Sequence, residues 1–522
     1  MTVVSALARA GLIVSGAFLV SRLLGYVRVV VFAHAFEPAE LDTFFAAFRI
    51  PDLIFQLVAA GALSSALIPV VSSLLEREEQ AHAWRVVSTV MNLMLVALAV
   101  LAGLLFLLAP AVMRIITPGF DGEALEQTIR LTRIMLLSPI FLAMGAVATS
   151  VLNAGGRFAA SAVAPIVYNL AIIGGALFLA PSLGIEGLAV AVVAGSLGHL
   201  LVQLPPLRLV GFRYVPHVDP DDPEARRALV LMAPRAFGLG ASQVTFIVVT
   251  ALASGLAVGA VTDFNIAFTL LQIPIGVIGV PLGIVLLPSL SRDAAVGREA
   301  DFARLLTRSL RLILFVMIPI AGLLAVLRGE VVELLFGGGR IGDGDLAAIA
   351  TTLGWFLVGL AAHALIAVLA RAFYARQDTL TPVLVAVAAV FANTTLAIAL
   401  VGPLGLSGIA LAIAAAAWME ATVLLLILRL RIVGLRLVDL ARVGLQAVVG
   451  TVIASALAFG TAAVIGSAIG TDPSAVALIV DVAVTSTVFG LAYATVAVVL
   501  RIPELASIVE VMVGLVRRPL TP

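Results

Sequence analysis

Arg22, Arg28, Asp42 and Arg49 lie inside the first two apolar stretches of this sequence. A charged side chain at bilayer depth costs roughly 2.5–3.5 kcal/mol on insertion scales, so four together imply a hydrated cavity with a charged occupant. Arginine suits the carboxylate or phosphate of an anion, because its planar fork donates two parallel hydrogen bonds and keeps its charge at any working pH. These residue types predict an anion site in the amino-terminal half of a membrane transporter. Arg22 and Arg28 are about 1.7 helical turns apart. They do not share one stripe of a straight helix, and Gly25 between them would permit a bend or close packing that turns both toward one cavity. Arg28 reads alternatively as a side chain snorkelling from a helix end. Arg49 precedes Pro51, where the backbone is expected to be distorted, and irregular backbone at membrane depth lines cavities. Asp42 reads as an arginine partner that resets the site between states, or as a plain acid at the outer mouth of the second helix. Asp52 pairs with Arg49 in the site, or forms an ordinary helical salt bridge three residues away.

The elements that hold these residues follow from composition. The chain has 522 residues, 62% of them hydrophobic and 12% charged, with mean hydropathy +1.19. A soluble domain carries about 25% charged residues, so the chain reads as an all-α integral membrane protein. A net charge of +1 gives no footprint for nucleic acid. Cysteine is absent, which excludes disulfides and thiol chemistry. Lysine is absent too: all 31 basic residues are arginine. A Walker A loop needs its lysine and a Schiff-base enzyme needs an amine, so an ATP-driven pump within this chain is excluded. His199 and His363 are isolated from any second metal ligand, and no nucleophile–base pair stands out. The expectation is a transporter, not an enzyme, with no cofactor and no metal. The apolar amino terminus lacks a cleavage site and reads as the first span.

A hydrocarbon core of about 30 Å needs about 20 apolar residues per helix. About 14 transmembrane helices are predicted: 8–33, 40–73, 84–110, 128–154, 158–180, 185–205, 226–256, 260–290, 303–328, 346–374, 380–400, 405–430, 443–468 and 475–500. Alternate loops carry the arginines, among them Arg77 and Arg85, Arg157, Arg208 to Arg227, Arg292 to Arg311, Arg371 and Arg376, and Arg429 to Arg442. The intervening loops are short or acidic, which places both termini in the cytoplasm. The tail 501–522 reads as an amphipathic interfacial helix or a plain helical extension.

The sequence repeats itself. Asp42-Thr-Phe-Phe-Ala-Ala-Phe48, then Ile68-Pro69, is echoed by Asp263-Phe-Asn-Ile-Ala-Phe268, then Leu287-Pro288. Pro165-Ile-Val-Tyr-Asn169, then Gly184-Ile-Glu-Gly-Leu-Ala189, is echoed by Ala389-Val-Phe-Ala-Asn393, then Gly405-Leu-Ser-Gly-Ile-Ala410. The offset of about 220 residues is six spans. An even number keeps both copies in one orientation, so two pseudo-symmetric six-helix lobes are expected, with a site between them near mid-membrane. The divisions are 1–210 for the first lobe, 211–435 for the second, 436–500 for two extra spans and 501–522 for the tail.

These residues resemble a known family. Ser21-Arg22-Leu23-Leu24-Gly25-Tyr26-Val27-Arg28 is similar to the first-helix signature of the MurJ/MviN lipid II flippases of the MOP exporter superfamily. Asp42 to Asp52, then Ala60-Gly61-Ala62-Leu63-Ser64 and Ile68-Pro69, resembles the second-helix signature. Pro274 to Gly283 with Leu286-Leu287-Pro288-Ser-Leu-Ser291 resembles the eighth. The resemblance implies a two-lobed flippase that moves undecaprenyl-pyrophosphate-linked peptidoglycan precursor (lipid II) from the inner to the outer leaflet by alternating access. It implies a bacterial cytoplasmic-membrane location, a role in cell-wall biogenesis and cell shape, and a lipid-tail groove built by the last two spans. Membrane lipids and cell-wall synthesis proteins are the further expected partners.

The chain departs from the family pattern. Many members carry an arginine where this chain has Phe55-Gln56, and an Asp-Arg pair with a glutamate where it reads Phe268-Thr269-Leu270-Leu271-Gln272. Arg235, after Pro234 in helix seven, is then a candidate for the missing second-lobe charge, or a snorkelling helix-end arginine. Gln272 and Asn265 are neutral donors for sugar or peptide groups, or interhelical hydrogen-bond partners. Glu420 and Asp481 read as embedded acids that carry a proton or pair with an arginine. Helices seven and eleven offer no embedded acid, so sodium coupling through the acid-lined site of some members is not supported. The substrate site is thus expected at Arg22, Arg28, Arg49 and Asp42, with Arg235 and Gln272. The alternatives are a flippase for another lipid-linked oligosaccharide, a MATE-like multidrug exporter, and a non-transporting scaffold for cell-wall enzymes.

Overall fold

A computed structural model describes the backbone of residues 3–58, 62–216, 218–469 and 474–506. The side chains of 3–13, 58, 62, 64–65, 233–239, 241–242 and 467–469 lie outside that description. Among the described residues every regular element is helical, as hydrocarbon demands: a helix satisfies its own backbone hydrogen bonds where no water can.

The chain divides into two compact units. Residues 1–262 with 339–341 make the first, and 263–338 with 342–522 the second. The first contains α1 (Val3–Ala35), α2 (Pro38–Val58), α3 (Ala62–Glu76), α4 (Gln80–Ile116), α5 (Gly122–Met135), α6 (Ser138–Ala154), α7 (Phe158–Gly174), α8 (Ala180–Leu183), α9 (Ile185–Leu201), α10 (Leu204–Leu209) and α11 (Pro223–Ser254). There follow α12 (Ala260–Pro274), α13 (Val280–Ala295), α14 (Glu299–Val326), α15 (Arg328–Phe336), α16 (Asp343–Leu357), α17 (Leu360–Ala375), α18 (Leu380–Arg431), α19 (Leu437–Ile469) and α20 (Ala475–Val499). One π-helical turn follows α7 and another follows α12.

Ten helices are long and apolar enough to cross a membrane among the described residues, eleven if α16 and α17, bent by 48°, count as one span. The expected segments 380–400 and 405–430 are the two arms of α18, two helices that meet at a non-helical kink at Gly405. Within the expected segment 40–73, α2 and α3 flank residues 59–61, which lie outside the described residues, and Glu40, Asp42, Arg49 and Asp52 make α2 more charged than a lipid-facing span. The helix also continues through Pro51, against the distortion expected there. Proline removes one bond to the carbonyl four residues earlier, and that carbonyl, of Ala47, faces the Thr132 hydroxyl at 3.5 Å. Likewise α1 runs unbroken through Gly25, where an added methyl would meet nothing within 4 Å.

The repeat is visible in local geometry. Phe44 stacks on Phe48 at 6.0 Å, and Phe264 on Phe268 at 5.8 Å, in a register of 220. Gly184 and Gly405 adopt nearly the same left-handed backbone, φ 58° and 56°, open only to glycine without strain. After each, Gly187 and Gly408 pack against the backbone of Leu179 and Leu400.

The first unit buries two apolar clusters. One gathers Leu67, Trp84, Val87, Val147 and Ala228; the other gathers Phe32, Phe36, Phe44, Leu131 and Ile185 around the α1–α2 corner. In the second unit α19 and α20 pack on each other and α19 on α14, where the Tyr493 hydroxyl donates to the Phe315 carbonyl at 2.8 Å. Lipid tails are as apolar as leucine, so close van der Waals fit and such interhelical bonds hold these contacts, not water exclusion.

Candidate functional site

Four helices of the first unit position the charged centre. From α2 come Arg49, Asp52 and Gln56, spaced so that they follow one face at steps of three and four residues. The Arg49 Nε donates to Thr250 Oγ1 of α11 at 2.8 Å, and its guanidinium lies 5.3 Å from the centre of the Phe246 ring. Thr250 in turn donates to the Phe246 carbonyl at 2.8 Å, which fixes its lone pair toward Arg49. Gln243, also on α11, donates to Asp52 Oδ2 at 3.2 Å, and Gln56 hydrogen-bonds the same carboxylate.

Arg28 arrives from α1. Its charge and that of Arg49 both act on Asp52, and Arg28 also acts on the Tyr168 hydroxyl of α7. Arg28 packs on Phe32 at 5.9 Å, while its Nε is buried and makes no hydrogen bond among the described residues. A buried donor left unmade costs about 1–3 kcal/mol, more when charged, unless something else accepts from it. Two guanidinium charges therefore bear on one carboxylate, with the Arg28 Nε making no hydrogen bond among the described residues. That arrangement can bind an anion with two or more acceptor oxygens.

Arg22 is nearly two turns earlier on α1 and lies over the Phe18 ring at 5.3 Å. The α7 residue Asn169 holds that stretch, donating to the Ser21 carbonyl at 3.3 Å. Asp42 is buried, 4% exposed. Its Oδ2 accepts from the Gly259 N–H, and its Oδ1 from the Thr262 N–H and hydroxyl, all at 2.7 Å. Nearby, the Arg340 N–H donates to the Ala33 carbonyl at 3.1 Å, and its guanidinium pairs with Glu37 at 3.0 Å. Arg235 is on α11, its side chain outside the described residues. Gln272, on α12, is exposed in the second unit. There too, Tyr374 lies within electrostatic reach of Arg371 and Glu420, and buried Asp481 accepts from the Thr485 hydroxyl at 2.9 Å. The residues missed in the sequence were Gln243, Phe246, Thr250 and Tyr168. Their one signal was polar positions seven apart on helix seven, the same spacing as a helical face.

Fold and site together define a polytopic helical membrane protein with a cationic centre among its helices. The family model for lipid II flippase MurJ matches residues 33–471. A lipid II flippase MurJ of Burkholderia cenocepacia is 33% identical over 432 residues, 81% of this chain and 84% of that one. A probable lipid II flippase MurJ of Rhizobium tropici is 34% identical over 419 residues, 78% of each. Among solved structures, a lipid II flippase MurJ in an inward closed conformation aligns with TM-score 0.78 at 22% identity, over 93% of this chain and 99% of that one. An inward-facing MATE family multidrug transporter of the MOP superfamily aligns with TM-score 0.70 at 14% identity, over 80% and 95%. The two structural likenesses concern the fold. The chain belongs to the lipid II flippase MurJ family, multi-pass inner-membrane transporters and not enzymes.

Proposed function

We propose that this chain carries lipid II from the inner to the outer leaflet of the bacterial cytoplasmic membrane, with the pyrophosphate held by Arg28 and Arg49. The observation that carries the reading is that both charges act on Asp52 while the Arg28 Nε is buried and makes no hydrogen bond among the described residues. Pyrophosphate offers more acceptor oxygens than one carboxylate and a larger charge, so it displaces Asp52 as their partner. Asp52, held by Gln56 and Gln243, takes the arginines back when the cargo leaves. Arg22 meets the cargo further along α1, and Gln272 and Arg235 supply contacts to sugar, peptide or phosphate. Asp42 acts on the arginine site between states.

The finer reading includes fourteen spans in two six-helix lobes, with residues 436–500 forming a groove for the lipid tail. Exposed apolar Val452, Phe459 and Leu491 on α19 and α20 support that groove. Both termini face the cytoplasm, and the lobes alternate access to the cavity.

The test is replacement of an essential lipid II flippase in a depletion strain, with Arg28→Ala and Arg49→Ala variants checked for membrane abundance. Rescue by the wild type and failure of well-expressed variants is the expected result. Rescue by the variants as well would remove the two arginines from the site. Failure of an abundant wild type would point to a different oligosaccharide on the same pyrophosphate carrier, tested by supplying that cargo.

A further inference from the structure

A second cationic cavity lies within the second unit and is built from none of the residues of α1 and α2. It has a volume of about 1040 Å³ and is walled by the start of α14, the turn between α18 and α19, and the chain just after α20. Arg304, Arg308 and Arg311 line it from α14, at spacings of four and three that put them on one face. The opposite face of the same turns buries Phe302, Leu306, Leu310 and Ile313. Arg436 faces the cavity from the turn, so four guanidiniums stand against two carboxylates, Asp439 and Glu504. Glu504 is 6% exposed and its Oε1 lies 2.6 Å from Arg311 Nε, a close ion pair that fixes the floor.

The walls say what kind of anion fits. With 28 residues, α14 is about 42 Å long, about 12 Å more than the hydrocarbon core, and the arginines occupy its polar first half. Arg304 therefore lies within that excess, so the mouth of the cavity stands at headgroup depth, with Arg308 and Arg311 below it on the same face. The turn beside the cavity and the helix ends that flank it expose Leu430 by 87%, Val433 by 86% and Val438 by 78%. A soluble anion or an acidic peptide gains nothing from such a rim, whereas acyl chains cover it. Basic pockets between helix ends at a membrane surface recognise anionic lipid headgroups by this combination of charge and apolar contact.

We infer that the cavity between Arg304, Arg308, Arg311 and Arg436 is a receptor for the phosphate headgroup of an anionic glycerophospholipid, separate from the transport site. The lipid's phosphate is held by the guanidiniums, and its acyl chains lie over Leu430, Val433 and Val438.

The test is native mass spectrometry of the purified full chain, titrated with phosphatidylglycerol or with zwitterionic phosphatidylcholine. Phosphatidylglycerol is expected to bind in preference, and Arg308→Gln and Arg436→Gln each to weaken it roughly fivefold. Arg130→Gln, an exposed arginine of the first unit, leaves binding unchanged. Asp439→Asn is expected to tighten binding, a gain that misfolding does not produce. Equal binding of the two lipids, or unchanged binding in both arginine variants, would overturn the proposal. Competition by glycerol 1-phosphate at the lipid's own affinity would assign the cavity to a soluble phosphate and overturn the lipid. Displacement of the lipid by an acidic peptide at comparable concentration would do the same in favour of a protein partner.

Discussion

Asp42 and Thr262 hold the same place in two copies of one motif, 220 residues apart, and are bonded to each other. The Thr262 N–H and hydroxyl both donate to Asp42 Oδ1 at 2.7 Å. The register that makes them counterparts is the one that superposes the stacked pairs Phe44–Phe48 and Phe264–Phe268. At this register one copy presents an acid and the other a donor, so the two form a complementary pair.

Asp42→Ala is expected to strand the Gly259 and Thr262 N–H groups in a buried place, at about 1–3 kcal/mol each. Asp42→Asn keeps one acceptor oxygen and should lose about half as much. Thermal unfolding of the purified variants measures the order.

The Arg49–Thr250 bond makes a separate expectation. Hydrogen bonds to a charged group contribute about 1.5–3 kcal/mol net, so Thr250→Val should weaken cargo binding or stability by that order. Arg49→Lys alone should cost a similar amount, since an ammonium cannot reproduce the fork over Phe246. A double-mutant cycle should then show the two losses to be less than additive, and strict additivity would separate the residues.

Asp52→Asn removes the carboxylate that competes with the cargo while leaving amide groups for Gln56 and Gln243. Pyrophosphate-lipid binding should tighten, by roughly tenfold for one like charge near a semi-exposed pair, while turnover falls because release is no longer assisted. Binding and transport measured on one preparation decide it; a variant weaker in binding would contradict the competing role.

Much of this site was legible and part was not. The charges of α1 and α2 stood out because membrane interiors tolerate few. Gln243 and Thr250 did not, because a glutamine and a threonine on an apolar helix are ordinary. The break between 380–400 and 405–430 was legible, because Gly402, Pro403 and Gly405 interrupt the apolar run where the chain kinks. Arg304, Arg308 and Arg311 were read only as markers of sidedness, since the cavity they line needs chain from beyond 430 and 500.

Outside the spans, Asp378 receives the Thr381 N–H at 2.9 Å, its hydroxyl at 2.6 Å, and the Arg431 guanidinium. Partial burial pushes this carboxyl up, but these hydrogen bonds outweigh it and hold it down at about 2, against an ordinary 3.8. A depressed carboxylate stabilises the fold fully above the ordinary value, and that contribution is lost as pH falls through about 2. The difference in thermal stability between wild type and Asp378→Asn should therefore be constant above pH 5 and vanish toward pH 2.

Gly184 and Gly405 bear on how the protein is made. Each turns the chain with a left-handed residue, and each turn is locked within a few residues by the next glycine, against Leu179 and Leu400. A hairpin closed by contacts this near in sequence needs nothing from downstream. The helices on either side of Gly184 can pair while the second half of the chain is still on the ribosome, and Gly405 repeats the step for the second half. Two insertions that complete themselves locally are thus expected, each hairpin gaining protease protection in a truncated nascent chain that ends soon after it.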